Sequence, residues 1–265
     1  MAEAFSVISA NLGRCSNKTL EARGLIRLDE KDRAKEVRKI LCTEQREEQP
    51  DVVFIQEALS DLHMNHLKSE AGWSDYASVN FNKESIFINT DKFKIEPWSG
   101  EGFVGGMDAC FIDDCHRAVL AKVTSRKTGK KILLASFHGI AKTDPNRSRS
   151  PRGRKKKSVE GFLSLVTDMK ETMGAEEILI GADLNLVAEE VFESINKFSL
   201  QLRTCRYKRS CKQKNCGKKR VIDHFIHSEG ISLRKNIRIH ADINVLDHHP
   251  LSAVFSVPDQ NDTDS

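Results

Sequence analysis

Short apolar, β-branched runs that each stop at a polar residue constrain this chain more than any other feature. SVISA is followed by Asn11, VVFI by Gln56 and Glu57, ILLASF by His138, and ILIGA by Asp183, with Asn185 two residues on. Runs of this kind read as short strands. They predict strands over 7–11, 52–57, 85–89, 118–123, 132–138, 178–183, 221–226 and 251–255. Between the first two, Ala34, Val37, Ile40 and Leu41 fall at helical spacing and Pro50 closes the segment, which predicts a strand, a crossover helix and a second strand. Further helices are expected over 159–173, with Ser158 as N-cap and Gly174 beyond the end, and over 187–198. Alternation of α and β throughout, with no repeat and no compositional break, predicts one domain over 1–256 and a frayed polar tail over 257–265.

None of the apolar runs approaches the roughly 18 to 20 residues that span a bilayer, so no membrane span is expected. The first residues, MAEAFSVISANLGR, lack a basic segment followed by an apolar stretch and cleavage site, and the expectation is an intracellular protein of nucleus or cytoplasm. Seven cysteines are an odd number spread through a chain of 265 residues, which reads as reduced thiols rather than a disulfide framework. Cys205, Cys211 and Cys216 lack the tight spacing common at zinc sites, and Cys110 and Cys115 are a weaker pair still.

The net charge of +4 hides a concentration of cations. Arg152, Arg154, Lys155, Lys156 and Lys157 belong to a segment, 147–157, without a single acid, and 203–220 is equally basic, whereas the remainder of the chain is net negative. Cations gathered on an otherwise acidic protein suit a polyanionic partner such as nucleic acid. Both segments fall between expected elements and read as loops; solvated loops, or for RSRSPRGRKKK a nuclear-import signal with Ser150 before Pro151 as a phosphorylation site, are the other readings.

Polar residues at strand ends are where α/β proteins gather catalytic groups, although each alone also serves as a turn former or cap. The last third adds Asp223-His224 and Asp247-His248-His249-Pro250, carboxylates beside histidines in apolar surroundings. A carboxylate bonded to one imidazole nitrogen fixes the tautomer and raises the basicity of the other nitrogen. His249 also reads as a packed or capping residue, and His224 as one pointing to the strand face opposite Asp223. Asn11, Glu57, Asp183, Asn185 and Asp247 are hard oxygen donors, suited to Mg²⁺, with Mn²⁺ as a substitute. A divalent ion beside histidines suits phosphoester hydrolysis.

The ordered series Asn11 in SANLG, Gln56-Glu57 in FIQEAL, His138 in ASFHG, GADLN at 181–185, Ile222-Asp223 and DHHP at 247–250 resembles the endonuclease/exonuclease/phosphatase family, which has the deoxyribonuclease-I-like fold. The resemblance covers nearly the whole chain. It implies an α/β protein built as a four-layered α/β/β/α sandwich of two mixed sheets flanked by helices, with a metal site at the strand ends. It further implies Glu57 as the principal metal ligand, assisted by Asn11 and Asp247, and Asp183 as the group that positions or deprotonates the attacking water. Asn185 would orient water or phosphate, Asp223 would orient His248, and His138 would be a second contact to the scissile phosphate or leaving group. His248 is preferred to His249 because the family pattern is Asp-His-x-Pro. The chain departs from that pattern in Gly-Ala-Asp-Leu-Asn for the commoner Gly-Asp-Phe-Asn, in Leu246 for a Ser, and in lacking Trp-Arg before Ile222. The last departure weakens the match to abasic-site endonucleases, and the absence of a tryptophan-rich signature weakens the match to inositol phosphatases.

The expected activity is therefore Mg²⁺-dependent hydrolysis of phosphodiester bonds in nucleic acid, with the basic segments binding substrate. The alternatives are a phosphatase or phosphodiesterase for small phosphorylated molecules, lipids or protein–nucleic acid adducts, and an idle basic binding scaffold.

Overall fold

A computed structural model of the protein describes residues 2–13, 49–57, 69, 74–81, 83–97, 118–140, 151–203, 221–240 and 248–258. Its strands are β1 (Glu3–Asn11), β2 (Val52–Gln56), β3 (Tyr76–Phe81), β4 (Glu84–Asn89), β5 (Phe93–Ile95), β6 (Ala118–Ser125), β7 (Lys131–His138), β8 (Glu177–Asp183), β9 (Leu200–Arg203), β10 (Asp223–Ser228), β11 (Ser232–Ile239) and β12 (Leu251–Val257). Two helices accompany them among the described residues, α1 (Pro151–Thr172) and α2 (Ala188–Asn196).

The strands form two six-stranded sheets, ordered β11-β12-β1-β2-β4-β3 and β5-β6-β7-β8-β10-β9. Each sheet is mixed. β1 pairs with β2 in parallel, as the strand–helix–strand pattern requires, and β7 pairs with β8 in parallel across the crossover made by α1. Phe5, Val7 and Phe54 of the first sheet meet Leu134, Leu179 and Phe225 of the second in one fully buried layer. A second layer forms where the outer face of the second sheet meets the two helices, with Phe137 and Phe162 stacked 4.0 Å apart. Gly181 is required in the first layer, because a Cβ there would lie 2.5 Å from the ring of Phe54. The expected helix around 34–41 lies outside the described residues, as do Cys110, Cys115, Cys205, Cys211, Cys216 and the basic segment beyond Arg203.

All eight expected strands are present, and β12 extends to Val257, one residue into the expected tail. The sequence reading missed β3, β5, β9 and β11. The first three are short or weakly apolar, and β11 (SLRKNIRI) is an edge strand with a largely exposed, basic face.

The placement of residues 151–157 in a loop is corrected. They open α1, so Ser158 lies inside the helix instead of capping it. Proline is accommodated in the first helical turn, where its missing N–H has no partner to lose, and Lys and Arg are good helix formers. The first turn of α1 contains no acid, which leaves its cations at the positive end of the helix dipole. Acids of α2 offset this, with Arg152 Nε 2.9 Å from Glu190 and Lys156 Nζ 3.6 Å from Glu193. No helix among the described residues is long and apolar enough to cross a membrane.

Candidate active site

Strand register assembles the site. On the second sheet, Asp183 is the direct neighbour of His138 on one side and of Asp223 on the other, so three adjacent strands place one histidine and two carboxylates in a row. On the first sheet, Asn11 ends β1 opposite Gln56, and the His248 segment enters β12, whose first residue Leu251 pairs with Ser9. Alternation turns Asn11, His138, Asp183 and Asp223 toward the space between the sheets, at the end where these strands finish or begin.

Gln56 occupies the inward position at the end of β2. It is fully buried, and its Nε2 donates to Ser136 Oγ at 2.9 Å and to the Gly181 carbonyl at 3.1 Å. It therefore clasps the two sheets beneath the site. Strict alternation would send Glu57 outward, but Glu57 leaves the strand with φ 56°, and its carboxylate comes within 3.3 Å of His138 Nε2. Asn185 has φ 52°, and Ser199 is the other non-glycine residue of positive φ among those described. Such conformations cost roughly 1–3 kcal/mol in a non-glycine residue and concentrate where function fixes a side chain. Asn tolerates the left-handed region, and Asn185 is held there by its own N–H donating to Asp183 Oδ1 at 2.9 Å and by Nδ2 donating to the Gly139 carbonyl at 3.0 Å. Gly139 must lack a Cβ, which would stand 2.4 Å from the Leu184 carbonyl oxygen.

Asp183 lies at the centre with 1% of its surface exposed. Its Oδ2 accepts from Asn11 Nδ2 at 2.9 Å and lies 3.7 Å from His248 Nε2 and 3.8 Å from His138 Nε2. Burial raises the pKa of Asp183 above the usual carboxylate range, and the neighbouring charge of Asp223 adds to the rise, while His248 and His138 oppose it. Asp223 accepts from His248 Nδ1 with both oxygens at 3.0 Å. This arrangement leaves Asp183 a buried carboxyl of raised pKa and gives His248 a fixed orientation.

Asn11, Glu57, His138, Asp183, Asn185, Asp223 and His248 are thus drawn to one end of the sandwich. Asp247 lies outside the described residues. Lys155 of α1 reaches the same place, its Nζ donating to the Asn185 carbonyl at 3.4 Å. Arg154 and Lys157 share the first turns of α1 with it.

One acid escaped the sequence reading. Glu84, at the start of β4 and 2% exposed, places its carboxylate 3.9 Å from His138 Nδ1. Its only sequence signal is an acid opening an apolar strand. His224 faces away from Asp223, as strand alternation allows, and is fully buried.

Two carboxylates and an imidazole here could hold a metal ion. Ligand atoms of Asp183, Asp223 and His248 lie within 4.8 Å of one another, and the Glu57 carboxylate, 24% exposed, is the most solvent-accessible of the site's acids among the described residues.

No protein-family model and no curated protein matches the sequence. Solved structures do match. An endonuclease/exonuclease/phosphatase family protein from Bacteroides thetaiotaomicron aligns over 97% of this chain and 99% of its own, with a TM-score of 0.68 and 18% identity. A mannosyl-6-phosphatase from the same organism aligns over 95% and 99%, with a TM-score of 0.66 and 18% identity. TDP2 of D. rerio, in complex with a single-strand DNA product, aligns over 95% and 98%, with a TM-score of 0.60 and 18% identity. The chain has the α/β sandwich fold of the endonuclease/exonuclease/phosphatase proteins, the deoxyribonuclease-I-like fold.

Proposed function

We propose that the chain is a member of the endonuclease/exonuclease/phosphatase family and a metal-dependent phosphoesterase acting on phosphodiester bonds of nucleic acid. The observation that carries this reading is the row His138, Asp183 and Asp223 on one sheet facing Asn11, Glu57 and His248 from the other. Glu57 and Asn11, with Asp247, are the donors that would hold Mg²⁺ or Mn²⁺, which when bound supplies positive charge to phosphate and leaving-group oxygens.

The residues of the chain divide the remaining work. Asp183, buried and raised in pKa, takes a proton from the attacking water as its oxygen forms the new bond to phosphorus. The Asn185 side chain, anchored on Gly139, orients that water or a phosphate oxygen. His248 receives its orientation from Asp223 and, as imidazolium, donates Nε2–H to a phosphate oxygen. As the bond from phosphorus to the leaving oxygen breaks, that oxygen takes up a proton, which a protonated His138 would supply. Lys155 at the start of α1 contacts the Asn185 backbone and is the basic residue best placed to meet the phosphate chain, with Arg152, Arg154, Lys156 and Lys157 extending the positive surface.

The test is a substrate panel with purified protein: plasmid, single-stranded DNA, RNA, abasic duplex, tyrosyl-linked DNA ends and inositol phosphates, each with Mg²⁺ and with EDTA. Hydrolysis of a polynucleotide that EDTA abolishes supports the reading. Turnover confined to a small phosphate ester replaces nuclease by phosphatase.

A further inference from the structure

His224 follows Asp223 on β10, and the two face opposite sides of the sheet. Asp223 aligns His248 in the space between the sheets. His224 pairs in register with Ala182 on the helix-facing side, where it is fully buried. Its Nε2 lies 3.1 Å from the Leu186 carbonyl. A carbonyl only accepts, so Nε2 carries the hydrogen. Nδ1 is then a bare lone pair, and it has no hydrogen-bond partner among the described residues.

A buried acceptor left unpaired costs stability, and an apolar side chain would avoid that cost. What the histidine supplies is the tie to Leu186. Leu186 belongs to the connection 184–187, which carries Asn185 at φ 52° from the end of β8 to the start of α2. Leu184 N–H is held by the Ile222 carbonyl at 2.9 Å, and Val187 N–H by the Glu190 carboxylate at 3.0 Å. The His224 bond fixes the carbonyl between them. Adjacent residues of one strand thus serve the site from two faces.

We propose that His224 is a positioning residue, whose Nε2–H bond to the Leu186 carbonyl holds the connection 184–187 so that Asn185 presents its side chain to the substrate. This rests on Asn185 acting in the phosphoesterase site. Burial holds the imidazole neutral, with a pKa lowered to about 4, which suits a fixed single donor.

The experiment compares His224→Phe, which fills the space without a donor, with His224→Gln, whose amide nitrogen stands at about the distance of Nε2. His224→Asn, too short to reach Leu186, takes the place of the Phe variant should that variant fail to fold. In the Phe variant kcat should fall between about tenfold and about a hundredfold, with KM little changed and the thermal midpoint no lower than wild type. The Gln variant should recover most of kcat. Hydrogen exchange at the amides of Leu184, Asn185 and Val187 should quicken in the Phe variant and return toward wild type in the Gln variant. Wild-type kcat in a folded Phe variant, or unchanged exchange at these amides, overturns the proposal. If the wild-type protein hydrolyses no phosphoester, the enzymatic reading falls, and the exchange measurement still decides whether His224 holds the connection.

Discussion

Asp223 holds Nδ1 of His248 with both carboxylate oxygens at 3.0 Å, and Nε2 of the same ring lies 3.7 Å from Asp183. One imidazole therefore links the two buried carboxylates that face each other across β8 and β10. His248→Ala should lower kcat by about 10²- to 10⁴-fold, and Asp223→Asn, which offers His248 the wrong partner, by a comparable factor. His249→Ala should cost much less. Equal losses for His248→Ala and His249→Ala, with unchanged thermal melts, would show that the assignment is wrong.

The basic start of α1 should govern affinity rather than the chemical step. Changing Arg152, Arg154, Lys155, Lys156 and Lys157 to Ser should raise KM for a polynucleotide and leave kcat at saturation nearly constant. The slope of log K against log salt should flatten by about 0.7 to 0.9 for each phosphate contact removed. Lys155→Ser alone should show part of this effect, because Lys155 is the member that touches the Asn185 backbone. Stability should change little, since Arg152–Glu190 and Lys156–Glu193 are surface pairs with one well-exposed partner each, and such pairs contribute about 0–1 kcal/mol. Unchanged affinity and salt slope would remove nucleic acid as the preferred substrate and favour a small phosphate ester.

Much of this was legible in the sequence, and the reasons are physical. Strands buried on both faces announce themselves as uninterrupted apolar runs, which is why the expected bounds of β2, β7 and β8 lie within a residue of those observed, while β1 begins four residues earlier than the expected Val7. The polar residues that end them mark the site because a strand that stops at Asp183 or His138 has no apolar reason to stop there. β11 was hidden because an edge strand exposing Arg234, Lys235 and Arg238 carries the pattern of a loop. The start of α1 was hidden because charge density outweighed the signal of Pro151. Glu84 was hidden because its partnership with His138 joins residues 54 positions apart through two different sheets.

Acid should weaken the fold through two buried histidines. Burial lowers the pKa of His224 to about 4 and lowers that of His227, whose Nε2 accepts from Arg203 at 3.2 Å and whose Nδ1 donates to the Ser228 carbonyl at 2.7 Å. In the unfolded chain each returns to about 6.5 and binds a proton that the folded state refuses. The contribution of His224 is therefore complete above pH 6.5 and is lost as pH falls toward about 4, at up to about 1.4 kcal/mol per pH unit, and His227 acts in the same direction. Thermal midpoints followed from about pH 7 to about pH 4 should fall, and His224→Phe should fall less steeply. The raised pKa of Asp183 acts in the opposite direction, so the comparison decides: a His224→Phe midpoint that falls as steeply as wild type contradicts the burial of the His224 ring as a neutral group.

Metal-dependent hydrolysis is proposed to rest on the donors around Glu57 and Asp183. The most direct measurement is the Mg²⁺ titration of polynucleotide hydrolysis by wild type and Glu57→Gln, which keeps the shape of the side chain and removes its charge. Glu57 is 24% exposed and left-handed at φ 56°, so the variant should fold and melt as wild type does. Wild-type activity should rise with Mg²⁺ and vanish in EDTA, and the Gln variant should lose at least about a hundredfold in rate and need more Mg²⁺. Wild-type hydrolysis that survives EDTA, or a Glu57→Gln variant of full activity, would contradict the account.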